Sequence, residues 1–252
     1  MKEFYEQLFE QKTIEDLLND SKLIAEASIC DPQKICKGYV DFMQWTHKTG
    51  EIPRSITDRL VPTEKHIKDF IEFLPLYRNL GGFSDFTANY LTALMHSSKE
   101  RQFNVNLSNL SNLDISLNNL GYQLRDSVLT INGAAGHFVG RKAVDSIISI
   151  RGNCGNWLGD LAQNSTIVVT GDVKDSLGSS AKGCKIYVLG NAGRDVGFCS
   201  SDCEIRLSGN FKNLSKQIGT KTKIFNVKHK KWQQIYPKSS DKLISAFDRV
   251  IY

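Results

Sequence analysis

Cut into four 19-residue lines, residues 133–208 read GAAGHFVGRKAVDSIISIR, GNCGNWLGDLAQNSTIVVT, GDVKDSLGSSAKGCKIYVL and GNAGRDVGFCSSDCEIRLS. The columns of this array are chemically uniform. Gly133, Gly152, Gly171, Gly190 and Gly209 form one; Gly121, Gly140, Gly159, Gly178 and Gly197 form another at the same step. A third holds Gly136, Gly155 and Gly193, with Lys174 in the remaining place. Two apolar columns, Leu129/Ile148/Ile167/Ile186/Ile205 and Ile131/Ile150/Val169/Val188/Leu207, lie two residues apart. They therefore share one side of a short strand. Leu120/Val139/Leu158/Leu177/Val196, Leu124/Ala143/Ala162/Ala181/Ser200 and Ser127/Ser146/Ser165/Cys184/Cys203 keep the same step.

Like residues at a fixed period mean stacked coils. One 19-residue unit is too short to bury a core by itself. Stacked at about 4.8 Å per coil, such units bury a continuous one, and their strands form a parallel sheet along the axis. The pattern predicts a right-handed parallel β-helix of five full coils from about Asp114 to Ser208, with partial coils at each end. Ile224 falls in the isoleucine column of a sixth coil, whose glycines are lost. Glycine suits places where the chain turns sharply or coils crowd together. The column Asp126, Asp145, Asn164, Gly183, Asp202 holds residue types that tolerate a left-handed backbone, which predicts one such corner per coil.

The unit G-x-x-G-x-x-x-G, followed by a strand such as Ile167-Val168-Val169, resembles the GXGXG repeat domain that ends the glutamate synthase large subunit. It is similar also to the glycine-repeat component of formylmethanofuran dehydrogenase. GAAGHFVG (Gly133–Gly140), GNCGNWLG (Gly152–Gly159) and GNAGRDVG (Gly190–Gly197) match that pattern, and GDVKDSLG (Gly171–Gly178) departs from it at Lys174. The Gly-Gly pair those domains place before the strand survives only as Gly183-Cys184. The resemblance covers the coils and does not extend to residues 1–100. It implies a structural, subunit-organising domain whose catalytic partners lie elsewhere, so it carries over no catalytic residue.

Outside the repeat, composition sets broad limits. The 252 residues are 40% hydrophobic and 23% charged, which excludes a mainly disordered or collagen-like chain. No apolar run approaches the roughly 18–20 residues of a membrane span. The opening MKEFYEQLFEQK lacks the apolar segment of a secretory signal. Cys30, Cys36, Cys154, Cys184, Cys199 and Cys203 contain no CxxC pair, so a cytoplasmic protein with reduced, packed thiols is expected, without a metal site or cofactor. Cys154, Cys184 and Cys203 fall in packed columns of the repeat, whereas Cys199 lies off them and could be exposed.

Four of the five prolines lie in the first 75 residues, and glycine concentrates between Gly121 and Gly219. This shift divides the chain into an α-helical domain over 1–100, the β-helix over 101–227, and a basic C-terminal cap with a helix over 228–252. The class is α+β. Thr13 and Asp16 resemble a capping box for a helix carrying Ile14, Leu17, Leu18, Leu23 and Ile24. Asp31-Pro32 would start a second, bearing Ile35, Tyr39, Phe42, Met43 and Trp45. Thr63 would cap a third with Ile67, Phe70, Ile71 and Leu74; Gly81-Gly82 would break the chain before a fourth from Ser84 through Met95. Ser240-Asp241 would begin the last, with Leu243, Ile244, Phe247 and Ile251.

Candidate chemistry is sparse. His47, His66, His96, His137 and His229 make no HExxH or His-x-His pair, and His137 is expected to be solvated in a glycine turn. No G-x-S-x-G elbow is present. Lys174, Arg194, Lys182 and Lys185 could line an anionic groove, or simply be solvated. Charge, by contrast, is concentrated. From Gly209 to Tyr252 there are ten Lys+Arg and two Asp+Glu, against 22 and 25 in the rest. Within this tail, Lys228, Lys230, Lys231 and Trp232 mix cations with an aromatic ring, as phosphate contact with base stacking requires. The same tail can serve as a cap in which Trp232, Ile235 and Tyr236 cover the open end.

Three readings follow. The leading one is a non-catalytic assembly or protein-interaction subunit, with protein partners or self-association and no membrane. The second is a binder of nucleic acid or another anionic surface through the basic tail. The third is an enzyme with a site between the helices and the solenoid, for which His96, Asp145 and Arg141 would have to converge.

Overall fold

The computed structural model describes residues 35–42, 62–79, 82–228 and 231–237. The expected helix over Thr13–Ile24, the Asp31-Pro32 cap, Met43, Trp45 and the helix from Ser240 lie outside these residues.

Helix α1 spans residues 35–42, α2 spans Glu64–Phe73, and α3 spans Phe83–Ser97. Thr63 caps α2 as its position predicts. Its hydroxyl accepts from the His66 amide at 3.3 Å, and His66 Nδ1 accepts from the Thr63 amide at 3.2 Å. Histidine here takes the place that Glu or Gln usually holds in such a box. Pro75 follows in a tight 3-10 turn over Leu74–Tyr77. Helix α3 begins one residue earlier than expected, directly after Gly82 at φ +74°. Ser84 is thereby inside the helix, and its hydroxyl donates to the Ser116 carbonyl on the first coil. The helices meet through rings. Tyr39 contacts Phe70, Tyr77 and Tyr90 at centroid separations of 5.2, 5.1 and 5.4 Å. The buried hydroxyls are satisfied: Tyr39 pairs with Thr87 at 2.7 Å and Tyr90 donates to the Ile35 carbonyl at 2.7 Å.

The rest is a parallel β-solenoid of about five turns. Its main side is an eight-stranded sheet in chain order. The strands are β1 (Gln102–Asn106), β2 (Val128–Asn132), β3 (Ile147–Arg151), β4 (Thr166–Val169), β5 (Lys185–Val188), β6 (Glu204–Leu207), β7 (Lys223–Lys228) and β8 (Lys231–Tyr236). Leu129, Ile148, Ile167, Ile186, Ile205 and Ile224 stand in register, all fully buried. Phe103 and Val105 head the two apolar columns from β1, one strand before the glycine columns begin. The short helix α4 (Ser108–Ser111) occupies the longer connection from β1 to β2. Two further sides are rows of single bridges: Ala135–Cys154–Val173–Ala192–Phe211, and Arg125–Val144–Gln163–Lys182–Ser201. One hydrophobic cluster runs without a break from Ile35 in α1 to Ile224 in β7.

The expectation of one left-handed corner per coil needs correction. Four such positions recur from coil to coil; in one they are Trp157, Gly159, Leu161 and Asn164, at φ 63°, 69°, 57° and 47°. The long turn between the second and third sides alternates, so its amides point in turn to the coil before and the coil after. Gly140 N donates to Leu120 O at 2.9 Å, and Lys142 N to Asp160 O at 2.8 Å. That shared hydrogen bonding holds even bulky residues left-handed.

The glycine columns answer two different needs. A Cβ on Gly152 would lie 2.4 Å from the Gly133 carbonyl oxygen, so this column exists because coil backbones touch. Gly140 is left-handed at φ +66°, and a Cβ there would meet Ile148 Cδ1 at 2.5 Å.

At the C-terminal end the chain reverses. β8 pairs antiparallel with β7, so the described part of the expected cap is a strand. Ile235 and Tyr236 pack on the core margin, and Tyr236 Oη donates to the Ile218 carbonyl at 3.3 Å. Trp232 does not cover the end; it lies 43% exposed. Among the described residues, no helix is long and apolar enough to cross a membrane.

Candidate functional site

Side-chain ladders make the coil turns rigid. Asn153, Asp172 and Asn191 each accept the amide of the residue one coil on, at 2.9, 2.6 and 2.9 Å. Asn118, His137, Asn156 and Asp175 form a second ladder of the same kind. His137 is therefore a half-buried rung, its Nδ1 accepting from Asn156 N at 3.0 Å, and not a solvated turn residue. Ser146 and Ser165 accept amides from the preceding coil at 3.3 and 3.2 Å while donating to carbonyls two residues back. Cys203 repeats that acceptor role for Cys184 at 3.4 Å.

The thiols follow their packing. Burial pushes the Cys154 thiol up to about 12, although the Gly155 backbone partly offsets it. Cys184 is raised by its contact with Cys203 and by burial, and Cys36 rises to about 11 through burial. Cys199, which lies off the packed columns, is exposed. Among the described residues, no three His, Cys, Asp or Glu side chains gather as a metal site.

Lys174, Arg194, Lys182 and Lys185 do not line one groove. Lys185 lies on the outer sheet face, Lys182 on a bridge row of another side, and Lys174 and Arg194 on turns beyond the remaining row. Arg141 pairs with Asp160 at 3.0 Å, not with Asp145, which occupies its own corner column. Two grooves among the described residues lie where α2 crosses the sheet margin. One of about 560 Å³ is lined by Lys68, Asp69, Glu72, Asn104, Asn106 and Asn132, among others. Its neighbour, of about 740 Å³, includes Glu64, Lys65, Glu100 and Arg101. Their charges are largely paired internally, as in Lys68–Glu64 at 2.7 Å and Lys65–Asp69 at 3.3 Å.

Exposed apolar side chains are more informative. Of seven large ones among the described residues, six fall on two stripes. The first is the outer face of the sheet, with Ile147, Leu189 and Trp232 at 49%, 54% and 43% exposure. Toward its C-terminal end, the Arg206 guanidinium lies 5.2 Å from the Phe225 ring and 5.6 Å from that of Trp232. Glu204 anchors Arg206 at 2.7 Å, while Lys185 and Lys223 are exposed on the same face. Of the tail residues singled out in the sequence, Trp232 joins this face; Lys231, the adjacent residue of β8, is exposed on the opposite side of the strand. Lys230 and the side chain of Lys228 lie outside the described residues.

The second stripe is the left-handed turn. It has three columns: Asn119/Phe138/Trp157/Ser176/Asp195, Tyr122/Arg141/Asp160/Ser179/Phe198 and Gln123/Lys142/Leu161/Ser180/Cys199. Phe138 and Trp157 stack at 6.1 Å with an interplanar angle of 16°, and Arg141 lies 5.2 Å from the Phe138 ring. Both aromatic residues are left-handed, at φ 58° and 63°. For residues of that bulk the conformation costs about 1–2 kcal/mol each. Neither belongs to the columns that reveal the repeat. Their signal is a break in a column that otherwise holds Asn, Ser and Asp. Comparison with known proteins finds no matching family, no curated protein and no solved structure.

Proposed function

We propose that the chain is a non-catalytic interaction subunit: a rigid GXGXG-type β-solenoid that holds a protein partner on the outer face of its sheet. The observation that supports this is the sheet-face stripe. Ile147 in β3 and Leu189 at the end of β5 point away from the core, and the opposite side of those strands is completely filled. Val168, Tyr187 and Phe225 are half-exposed on the same face between Ile147, Leu189 and Trp232, and an apolar surface of this kind is a usual mark of association. The resemblance of the repeat to subunit-organising domains agrees with this reading. The test is affinity purification of the full chain from native lysate at low and high salt, beside an Ile147→Glu/Leu189→Glu variant. A stoichiometric protein should survive high salt with the parent chain and be lost from the variant. Absence of such a protein, or its equal retention by the variant, overturns the proposal.

A second reading is binding of single-stranded nucleic acid across β5–β8. Arg206 beside Phe225 and Trp232, with Lys185 and Lys223 on the same face, supports it: rings stack bases and cations meet phosphates. A fluorescent oligouridine should then bind with steep salt dependence, and Trp232→Ala should weaken it about tenfold or more. Salt-independent binding, or none, rejects this reading.

A further inference from the structure

The two grooves beside α2 make one trough. They share Asn104 and keep one order along helix and strand: Thr63 and Lys65 with Gln102 in one, Lys68 and Glu72 with Asn106 in the other. From Glu64 to Glu72 the helix rises about 12 Å, and from Gln102 to Asn106 β1 advances about 13 Å, so wall and floor match in length. The floor is the outer face of β1 and β2. Gln102, Asn104 and Asn106 are exposed there, with Thr130 and Asn132 half-exposed beside them.

The spacing of this floor suits a polypeptide backbone. The three β1 carboxamides recur at every second residue, about 6.6 Å apart. An extended chain lying along β1 presents its like-facing N–H and C=O groups at the same interval. A carboxamide both donates and accepts, so it can serve either group. Asn132 Nδ2 donates to Asn104 Oδ1 at 2.7 Å, and Ser108 N and Oγ donate to Asn106 Oδ1 at 3.1 and 2.8 Å. These bonds hold the asparagines in place. Among the described residues they leave Asn104 Nδ2, Asn106 Nδ2 and Asn132 Oδ1 without a partner.

Charge narrows the ligand further. Lys68 pairs with Glu64, and Lys65 with Asp69. Glu72 accepts from Asn109 Nδ2 at 3.1 Å and has no cation beside it among the described residues. This end of the trough repels a phosphate backbone and attracts a Lys or Arg side chain. A sugar ring finds no surface to stack on, since the ring on the lining, that of Phe103, is only 3% exposed.

We propose that the trough binds an extended, basic polypeptide segment of a partner protein, its main chain on Asn104, Asn106 and Asn132 and a Lys or Arg at Glu72. The proposal does not rest on the apolar stripe, because its contacts are polar and lie on β1, β2 and α2.

The probe is a set of fluorescein-labelled hexapeptide pools with amidated ends, one position fixed in each, read by fluorescence polarisation against the full chain. The strongest pools should carry Lys or Arg at one position. Asn104→Ala/Asn106→Ala should weaken the peptide they define about tenfold, while the melting midpoint stays within a few degrees, since both side chains are exposed. Methylating the peptide's main-chain nitrogens one at a time should find at least one whose lost N–H weakens binding to the parent chain, a result that needs no variant. Glu72→Gln should reduce the preference for Lys or Arg about threefold. Leu189→Glu should leave binding unchanged, which separates this site from the apolar stripe. The proposal is overturned if no pool binds, if Asp or Glu is preferred, or if binding ignores both the asparagine substitutions and every methylation. Equal loss in Leu189→Glu overturns it too, by placing the peptide on the stripe.

Discussion

A methyl group added at Gly152 and one added at Gly140 meet different obstacles. At Gly152 the obstacle is the carbonyl of Gly133, which is backbone and cannot move without parting two coils. At Gly140 it is the tip of Ile148, which can rotate, plus the strain of a left-handed alanine. Gly152→Ala should therefore destabilise by about 3 kcal/mol or more, and Gly140→Ala by about 1–2 kcal/mol. Urea unfolding of both variants checks the order; equal losses would mean that the coils do not touch as described. At this scale the glycines were legible from spacing alone. Trp157 and Leu161 were not, because the usual expectation reserves left-handed backbone for Gly, Asn and Asp. What holds them there is hydrogen bonding between coils, which no local rule contains.

Among elements, the ladders carry the prediction. Asn191 accepts the Asn210 amide at 2.9 Å and donates its own amide to Asp172 Oδ1. Asn191→Ala removes one acceptor at an exposed turn and should lower stability by about 1 kcal/mol, as chemical denaturation would show. A loss of several kcal/mol would mean that one rung controls its neighbours cooperatively. The strands and their order could be read from the columns, since residues 19 apart that share a type must stack. Helix α2 was legible through Thr63. β8 was not: the two residues between it and β7 are His229-Lys230, with none of the Asn-Gly or Gly signals of a hairpin. α4 escaped because four residues carry no period.

For the whole molecule, buried acids predict the response to alkali. The Cys154 thiol ionises near 9.0 when unfolded and near 12 when folded, and Cys36 moves from 9.0 to about 11. Tyr39, Tyr77 and Tyr90 shift upward too, chiefly by burial. A raised acid favours the folded state fully at pH below its unfolded value. That advantage disappears as pH climbs from about 9 toward 12, because the unfolded chain ionises first. The denaturation midpoint should fall steadily across that window. Cys154→Val, which copies Val173 in the same row, should flatten the decline; an identical slope in the variant would refute the assignment. The candidate sites were the least legible part. The array displays likeness, whereas Trp157 and Arg206 stand out only where their columns change residue type.

The reversal at β8 has a bearing on growth. Stacked parallel coils present at their last rung the same hydrogen-bonding comb as at their first, so one copy could continue another indefinitely. β8 runs the opposite way, and antiparallel pairing alternates narrow and wide bonds where parallel pairing spaces them evenly. A second copy that laid its β1 on β8 in the direction of the stack would pair antiparallel, so the parallel coil cannot be continued in register through this strand. The hairpin is where the parallel stack of described coils ends.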